Sequence, residues 1–212
     1  MPALRFILGR AGSGKTHTCI TEITTRLQEA PVGPSLIFVV PDQATFQMER
    51  SLAEALPSRG FIRLQVLSFR RLALAILGEV GGLARPALTQ TGRQMLLRSL
   101  LNEKSEDLTV FARAARQPGF VAELEATLQE MAQFGYSPAA VAAAAERIPG
   151  TAAKQKLEDL ALLWGAYKEA LAPHHADPDE YLTVAAEEGD TVSLVQGAEV
   201  WVDGFSSFTP QE

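Results

Sequence analysis

The sequence predicts an α/β fold in which a parallel sheet is interrupted by a long, entirely helical insertion. Short apolar runs alternate with helical patterns over the first 80 residues, whereas no strand pattern occurs between Leu83 and Glu188. Strand character returns only at Glu199. Because parallel strands need crossover connections of a dozen or more residues, this order of elements favours a sheet with helices packed on it.

The individual elements follow from the apolar runs and the residues at their boundaries. Strands are predicted at four apolar runs, namely residues 4–8, 36–40, 62–67 and 199–203. Helices are predicted between the first three runs, at residues 15–29, from a cap at Asp42 to Leu56, and from a cap at Ser68 to Leu77. In the insertion, apolar side chains recur at helical spacing over residues 120–131 and 157–171, and Thr91 with Gln94 matches a capping box.

Charge and composition exclude several classes of protein. The net charge of −6 comes from residues 173–212 at −9, while residues 1–80 carry +3, so a polyanion could still approach the N-terminal part. A single cysteine, Cys19, excludes disulfide frameworks and multi-thiol clusters, and the adjacent His174 and His175 suit no standard metal site. No run approaches the ~18 apolar residues of a membrane helix, so we expect a cytoplasmic protein without a membrane partner.

The strongest motif is a phosphate-binding loop between the first predicted strand and the first predicted helix. It satisfies G-x-x-x-x-G-K-[ST] with Gly9, Arg10, Ala11, Gly12, Ser13, Gly14, Lys15 and Thr16. The glycines let backbone N–H groups turn towards phosphates, and the helix N-terminus adds partial positive charge. Lys15 is expected to reach the β- and γ-phosphates of ATP, and the Thr16 hydroxyl is expected to bind Mg²⁺.

A P-loop needs a second acid at the end of an apolar strand to help hold the metal, and Asp203 is the candidate. It closes Val200-Trp201-Val202, and the alternative is an aspartate that merely ends a strand. In a hydrolysing motor a glutamate usually follows this aspartate and activates water, but here Gly204 follows. The position expected for the hydrolytic base therefore carries no acidic side chain.

These motifs resemble the AddB family, the B subunits of bacterial AddAB helicase–nucleases. The resemblance covers the whole chain and is sharpest at the P-loop, at the Val-Pro-Asp-Gln-Ala-Thr-Phe segment starting at Val40, at Val66-Leu67-Ser68-Phe69-Arg70-Arg71, and at Val202-Asp203-Gly204-Phe205. The stretch Asp177-Pro178-Asp179-Glu180-Tyr181-Leu182 also resembles an Asp-rich turn of UvrD-like helicases.

The resemblance implies the first, RecA-like lobe of a longer subunit, with a core at residues 1–82 plus 189–212 and a helical insertion at 83–188. From the resemblance we expect such a lobe to bind ATP and Mg²⁺ and to be inactive as a motor. It serves recognition of a Chi-type sequence in single-stranded DNA during double-strand-break processing, together with an AddA-type motor and nuclease subunit. The family's nuclease and iron–sulfur cluster lie outside these 212 residues.

Single-stranded DNA is expected to contact residues that follow the second and third predicted strands. These are Gln43, Thr45, Phe46, Ser68, Phe69, Arg70 and Arg71. A basic pair beside an aromatic ring suits phosphate contact plus base stacking, although a solvated helix face explains the same residues equally well.

Two other functions fit the P-loop. A small nucleotide or metabolite kinase suits the length and the position of the motif, but no Arg-rich lid is evident in the sequence. A pure interaction module with a vestigial P-loop would not bind ATP at all. Phosphoryl transfer to a small acceptor identifies the kinase, and ATP binding excludes the interaction module.

Overall fold

Three short parallel strands form the sheet, in a computed structural model that describes residues 4–172 and 176–212. They are β1 (Leu36–Val39), β2 (Leu64–Leu67) and β3 (Glu199–Val202), and β1 lies in the middle, paired with both others. All four residues of β1 are buried. A central strand covered on both faces requires a continuous apolar sequence, and Leu-Ile-Phe-Val provides it.

The chain divides into two compact units. The first comprises Met1–Gly81 and Leu182–Phe208 and contains the sheet, and the second comprises Gly82–Tyr181 and Thr209–Glu212. Over the described part of residues 83–188 there is no strand, only an isolated bridge between Ala87 and Ala176. The observed architecture is therefore α/β with a small parallel sheet and many helices.

The first three helices, whose bounds were predicted, begin and end within about three residues of the predicted positions. The helices of the described residues are α1 (Lys15–Glu29), α2 (Thr45–Ala55), α3 (Phe69–Glu79), α4 (Gln90–Glu103), α5 (Phe111–Ala114), α6 (Phe120–Gln133), α7 (Pro138–Arg147), α8 (Thr151–Leu171) and α9 (Tyr181–Glu188). Short 3₁₀ turns occur at Asp42–Ala44, Pro178–Glu180 and Gly189–Thr191. Ser68 caps α3 as predicted, because its hydroxyl accepts a hydrogen bond from the N–H of Arg71.

The core of the first unit lies where α1 and α2 pack on one face of the sheet. Ile23 of α1, Phe38 of β1 and Leu52 of α2 are completely buried there. β1 ends so that Val39 stands opposite Leu67 and Val202, and all three strands therefore finish at the same level. The residues that follow the strands consequently emerge along one edge of the sheet.

The predicted first strand, residues 4–8, is wrong, because this segment is not part of the sheet. Leu4, Phe6 and Leu8 are 82%, 74% and 89% exposed. Arg5, on the alternate side, forms an ion pair of 2.5 Å with Glu22 of α1. A buried parallel strand needs cover on both faces, and no residue of this segment is buried.

Two predicted caps are also corrected. Asp42 does not cap α2, because residues 42–44 form a 3₁₀ turn and α2 begins at Thr45 without a side-chain cap. The cap of α4 is Thr89 rather than Thr91, since the Thr89 hydroxyl accepts from the N–H of Gly92. Glycine stands where a capping box needs Glu or Gln, so no reciprocal bond forms.

The second unit is built around α8. Leu163 and Trp164 of α8 are buried against residues of α4 and α6, including Leu97 and Leu124. A buried aspartate on the same helix, Asp159, accepts hydrogen bonds from three successive backbone N–H groups at residues 109–111. These N–H groups are the otherwise unsatisfied donors at the start of α5, so Asp159 ties α5 to the helical core.

Ionisable groups surround a small cavity of about 10 Å³ in this unit. Arg93 donates to the buried carboxylate of Glu125 over 2.8 Å, which leaves the nearby Asp177 and Asp179 without a direct cationic partner among the described residues. Burial, and secondly the charge of Asp177, raises the pKa of Asp179 to about 6, although Arg93 opposes the shift. Burial likewise raises the pKa of Asp177.

No helix in the described part of the chain has the length and apolar character needed to span a membrane.

We predict that the second unit becomes more stable as the pH falls from about 7 to about 5. The pKa of Asp179 is higher in the folded chain than in the unfolded chain, so the folded state binds the proton first. The stabilisation from protonated Asp179 is fully present below the pKa that this residue has in the unfolded chain. It is lost as the pH rises through about 6. Urea unfolding followed by circular dichroism at both pH values measures the effect.

Asp179→Asn should flatten this pH dependence. Glu130→Gln, which changes an exposed carboxylate of the same unit, is the matched control and should leave it unchanged. Equal pH dependence in the wild type and Asp179→Asn would contradict the prediction.

Candidate functional site

The P-loop connects residues 4–8 to α1 and leaves the start of that helix open. Gly14, the residue before α1, has φ 86°, and Gly12 has φ 78°, so both positions lie in the left-handed region that favours glycine. No side chain caps α1, and its first turn contains no acidic residue. The first N–H groups of a 15-residue helix are therefore available to an anion.

The loop folds tightly on itself around Lys15. The Lys15 ammonium donates to the carbonyl oxygens of Gly9 at 2.9 Å and Arg10 at 3.0 Å. A Cβ atom at Gly9 would lie 2.2 Å from Oγ of Ser13, so a larger residue there would require the Ser13 side chain to move. Among the described residues no carboxylate pairs with Lys15, and its charge is available to phosphate.

The two predicted metal ligands meet at the head of the P-loop. The Thr16 hydroxyl donates to Oδ2 of Asp203 over 2.5 Å, although 187 residues separate them. The backbone N–H of Asp203 donates to the carbonyl of Val39, so the pairing of β3 with β1 fixes the position of the carboxylate. A hydroxyl and a carboxylate are the ligand types that Mg²⁺ takes beside nucleotide phosphates and water.

Other metal sites are not evident in the described part of the chain, where no group of three or more His, Cys, Asp or Glu residues could hold an ion. His174 and His175 lie outside the described residues. Cys19 is free and buried. A magnesium ion would therefore depend on phosphate oxygens in addition to Thr16 and Asp203.

Gly204 occupies the position where a motor would carry its hydrolytic base. Its φ is +85°, and an added Cβ would lie 3.2 Å from Cδ of Pro41. Both the backbone conformation and the contact with Pro41 disfavour a larger residue here. The turn at Gly204 redirects the chain towards Phe205.

Residues predicted to contact DNA emerge at the same edge of the sheet, after β1 and β2. Gln43, Phe46, Arg70 and Arg71 are exposed, and Phe69 is partly buried. The other two, Thr45 and Ser68, are buried.

Both buried hydroxyls form hydrogen bonds at the N-terminal ends of helices. The Thr45 hydroxyl donates to the carbonyl of Asp42 at 3.0 Å, and the Ser68 hydroxyl accepts from the N–H of Arg71 at 3.3 Å. These side chains position the helices that follow β1 and β2 and do not face solvent.

An aromatic cluster of Phe69, Phe205 and Phe208 extends this edge, and the sequence analysis did not find it. The ring centroid of Phe69 lies 5.1 Å from that of Phe205 and 6.1 Å from that of Phe208. Phe205 and Phe208 are 5.3 Å apart, and Phe208 is 58% exposed. The sequence does contain a weak indication of this cluster. Phe205 and Phe208 follow Asp203 at the end of β3, and Phe69 follows the end of the parallel strand β2.

Comparisons with known proteins identify the family of the chain. The family model described as ADDB, N-terminal, matches residues 6–212. The chain is 49% identical to a protein of Desulforudis audaxviator named as the B-type subunit of an ATP-dependent helicase/deoxyribonuclease, over 99% of this chain and 18% of that protein. The protein of the same name from Bacillus subtilis is 41% identical, over 98% of this chain and 18% of that protein.

The chain thus spans about a fifth of the length of the curated relatives that it matches. Since the family model covers nearly all of the sequence, this chain belongs to the AddB family, as its N-terminal domain.

Proposed function

We propose that this chain is the ATP-binding, helicase-like lobe of a DNA-processing helicase–nuclease subunit, inactive as a motor, and that it contacts single-stranded DNA. The observation that supports this most directly is the hydrogen bond between Thr16 and Asp203, which brings the two proposed metal ligands together at the head of a complete P-loop motif. The name of the relatives, which describes an ATP-dependent helicase/deoxyribonuclease, is consistent with nucleotide use.

The lobe is RecA-like in this proposal. Residues 1–82 and 189–212 form its P-loop core, and residues 83–188 form the insertion. The remaining four fifths of a relative's length would contain the second lobe, the nuclease and the iron–sulfur cluster. An AddA-type subunit is the proposed motor partner, and repair of double-strand breaks by recombination in the cytoplasm is the proposed setting.

Nucleotide binding follows from the charges and donors of the loop. The uncapped N–H groups of α1 and the Lys15 ammonium would hold the β- and γ-phosphates. Thr16 and Asp203 would hold Mg²⁺, which neutralises phosphate charge when bound. Exchange of the two Lys15 hydrogen bonds for bonds to phosphate replaces neutral acceptors with charged ones, which are stronger.

DNA contact follows from the strand-end surface. Exposed Phe46 and Phe208 offer ring faces for nucleobases, and Arg70 and Arg71 are exposed cations without an ion-pair partner among the described residues. Stacking rings beside unpaired cations are typical of surfaces that bind single strands. Recognition of a Chi-type sequence would take place on this surface.

We predict that Lys15→Ala weakens Mg²⁺–ATP binding about 10-fold to 100-fold, because charge-assisted hydrogen bonds to phosphate are worth about 1.5–3 kcal/mol. Titration calorimetry measures the change. Lys156→Ala removes an exposed lysine of the second unit and should bind like the wild type. Equal binding of Mg²⁺–ATP by the wild type and Lys15→Ala would contradict the proposal that the P-loop binds the nucleotide.

We predict negligible ATPase activity, with or without single-stranded DNA. Asp203 is committed to Thr16 and the metal, and Gly204 has no side chain to activate water. General-base assistance is typically worth ~10²–10⁴ in rate. Gly204→Glu should not restore activity, because φ +85° and the contact with Pro41 oppose a side chain there.

A steady-state phosphate-release assay decides this prediction. DNA-stimulated turnover of about one per second, an ordinary enzymatic rate, that vanished in Lys15→Ala would identify the lobe as an active motor.

We predict that Phe208→Ala weakens binding of a single-stranded oligonucleotide about 5-fold to 100-fold, since stacking of one base on an aromatic ring is worth about 1–3 kcal/mol. Fluorescence anisotropy with a labelled oligonucleotide measures the affinity. Phe134→Ala removes a similarly exposed ring from the second unit and is the matched control. Identical affinities for Phe208→Ala and the control would remove Phe208 from the proposed surface.

A further inference from the structure

Three arginines of the second unit, Arg98, Arg113 and Arg116, form a basic corner where α4 approaches α5. The guanidinium of Arg98, on α4, donates to the carbonyl of Ala115 at 3.4 Å. Arg116 follows directly, and its N–H donates to the carbonyl of Arg113 at 3.4 Å, so both lie on the same turn. Side chains three residues apart on a helical turn share one face. The hydrogen bond of Arg98 therefore brings three cationic side chains together.

The charge of this basic corner is not neutralised. All three arginines are exposed, and in the described part of the chain none forms an ion pair. Residues 108–122 contain no Asp or Glu. Other cations of the same unit do have carboxylate partners, as Arg93 has Glu125 and Lys154 has Glu158. Exposed guanidinium groups without ion pairs form a cationic surface that can attract a polyanion.

The aromatic residues beside the basic corner are not available for stacking. Phe111 is buried, and its ring packs against that of Phe120 with centroids 5.2 Å apart. A surface of guanidinium groups without an open ring lacks the stacking platform typical of single-strand sites, so its contacts are best suited to phosphate oxygens. This distinguishes the basic corner from the strand-end surface of the first unit, where Phe46 and Phe208 are exposed.

We propose that the basic corner binds the phosphate backbone of double-stranded DNA, without reading its sequence. The inference rests on the proposed function, because DNA is the polyanion that a helicase–nuclease subunit handles. Arginine forks match phosphate geometry, and contacts to the backbone position a protein on DNA without specifying bases. The second unit thereby supplies a duplex contact that is separate from the single-strand contact of the first unit.

The experiment measures binding of the full-length protein to a short blunt-ended duplex over a range of salt concentrations. The Arg98→Ala/Arg113→Ala/Arg116→Ala variant should bind duplex about 10-fold to 30-fold more weakly at low salt, because it neutralises up to three fewer phosphates. The slope of log affinity against log salt should fall by about 0.9 for each phosphate that the variant no longer neutralises. Replacement of the same three residues by lysine should retain most of the affinity.

Two variants guard against a purely structural effect. Arg113→Ala/Arg116→Ala keeps the hydrogen bond of Arg98 to Ala115, so the folding of the α4–α5 corner is preserved while two charges are removed. This variant should still weaken duplex binding. Arg147→Ala removes a single exposed arginine that lies beside Glu146, and it should bind duplex like the wild type.

Parallel binding measurements with single-stranded DNA distinguish a failure of this inference from a failure of the proposed function. Unchanged duplex affinity and salt slope in the double and triple alanine variants overturn the duplex contact, even where the wild type binds single strands. An equal loss of single-strand and duplex binding in these variants also overturns it, because the duplex contact would then not be separate. Failure of the wild type to bind a single-stranded oligonucleotide would instead overturn the proposed single-strand function.

Discussion

The pairing of β3 with β1 is the constraint on which the candidate site depends. β3 joins the sheet 160 residues after β1 ends, and its register places Val202 opposite Val39. The backbone bond from Asp203 to Val39 then fixes the carboxylate against Thr16. Closure of a loop this long costs only slightly more than closure of a short one, since the cost grows with the logarithm of length. A large helical unit can therefore interrupt the core without disturbing the site.

Structural elements could be predicted correctly from the sequence where a short-range pattern alone determines them. The P-loop motif, the apolar runs of β1 and β3 and the full extent of α1 each follow from short-range patterns. The failure at residues 4–8 has a long-range cause, because an apolar run is buried only where other elements cover it, and Leu4, Phe6 and Leu8 have no such cover. The shift of the α4 cap to Thr89 is an error of two residues at a boundary, where local signals are weakest.

The aromatic cluster shows what the sequence could not reveal. Phe69 follows β2 and Phe205 follows β3, and nothing in the periodicity of either segment indicates that the two rings meet. They meet because parallel strands that end at the same level send their following residues to one edge. Gly204 contributes to this arrangement, since its positive φ turns the chain from Asp203 towards Phe69. The same turn thus disfavours a glutamate at position 204 and leads the chain to Phe205 of the aromatic cluster.

The acidic balance of the chain is compatible with a DNA-binding function because many of its acids are used internally. Glu199 pairs with Arg26 in the first unit, and Glu180 pairs with Lys168 in the second. Asp203 is engaged by Thr16, and burial favours protonation of Asp179. The exposed cations proposed to meet DNA have no such partners among the described residues. Net charge describes the average field at a distance, whereas a polyanion within about 10 Å, the Debye length at ordinary ionic strength, responds to the local surface.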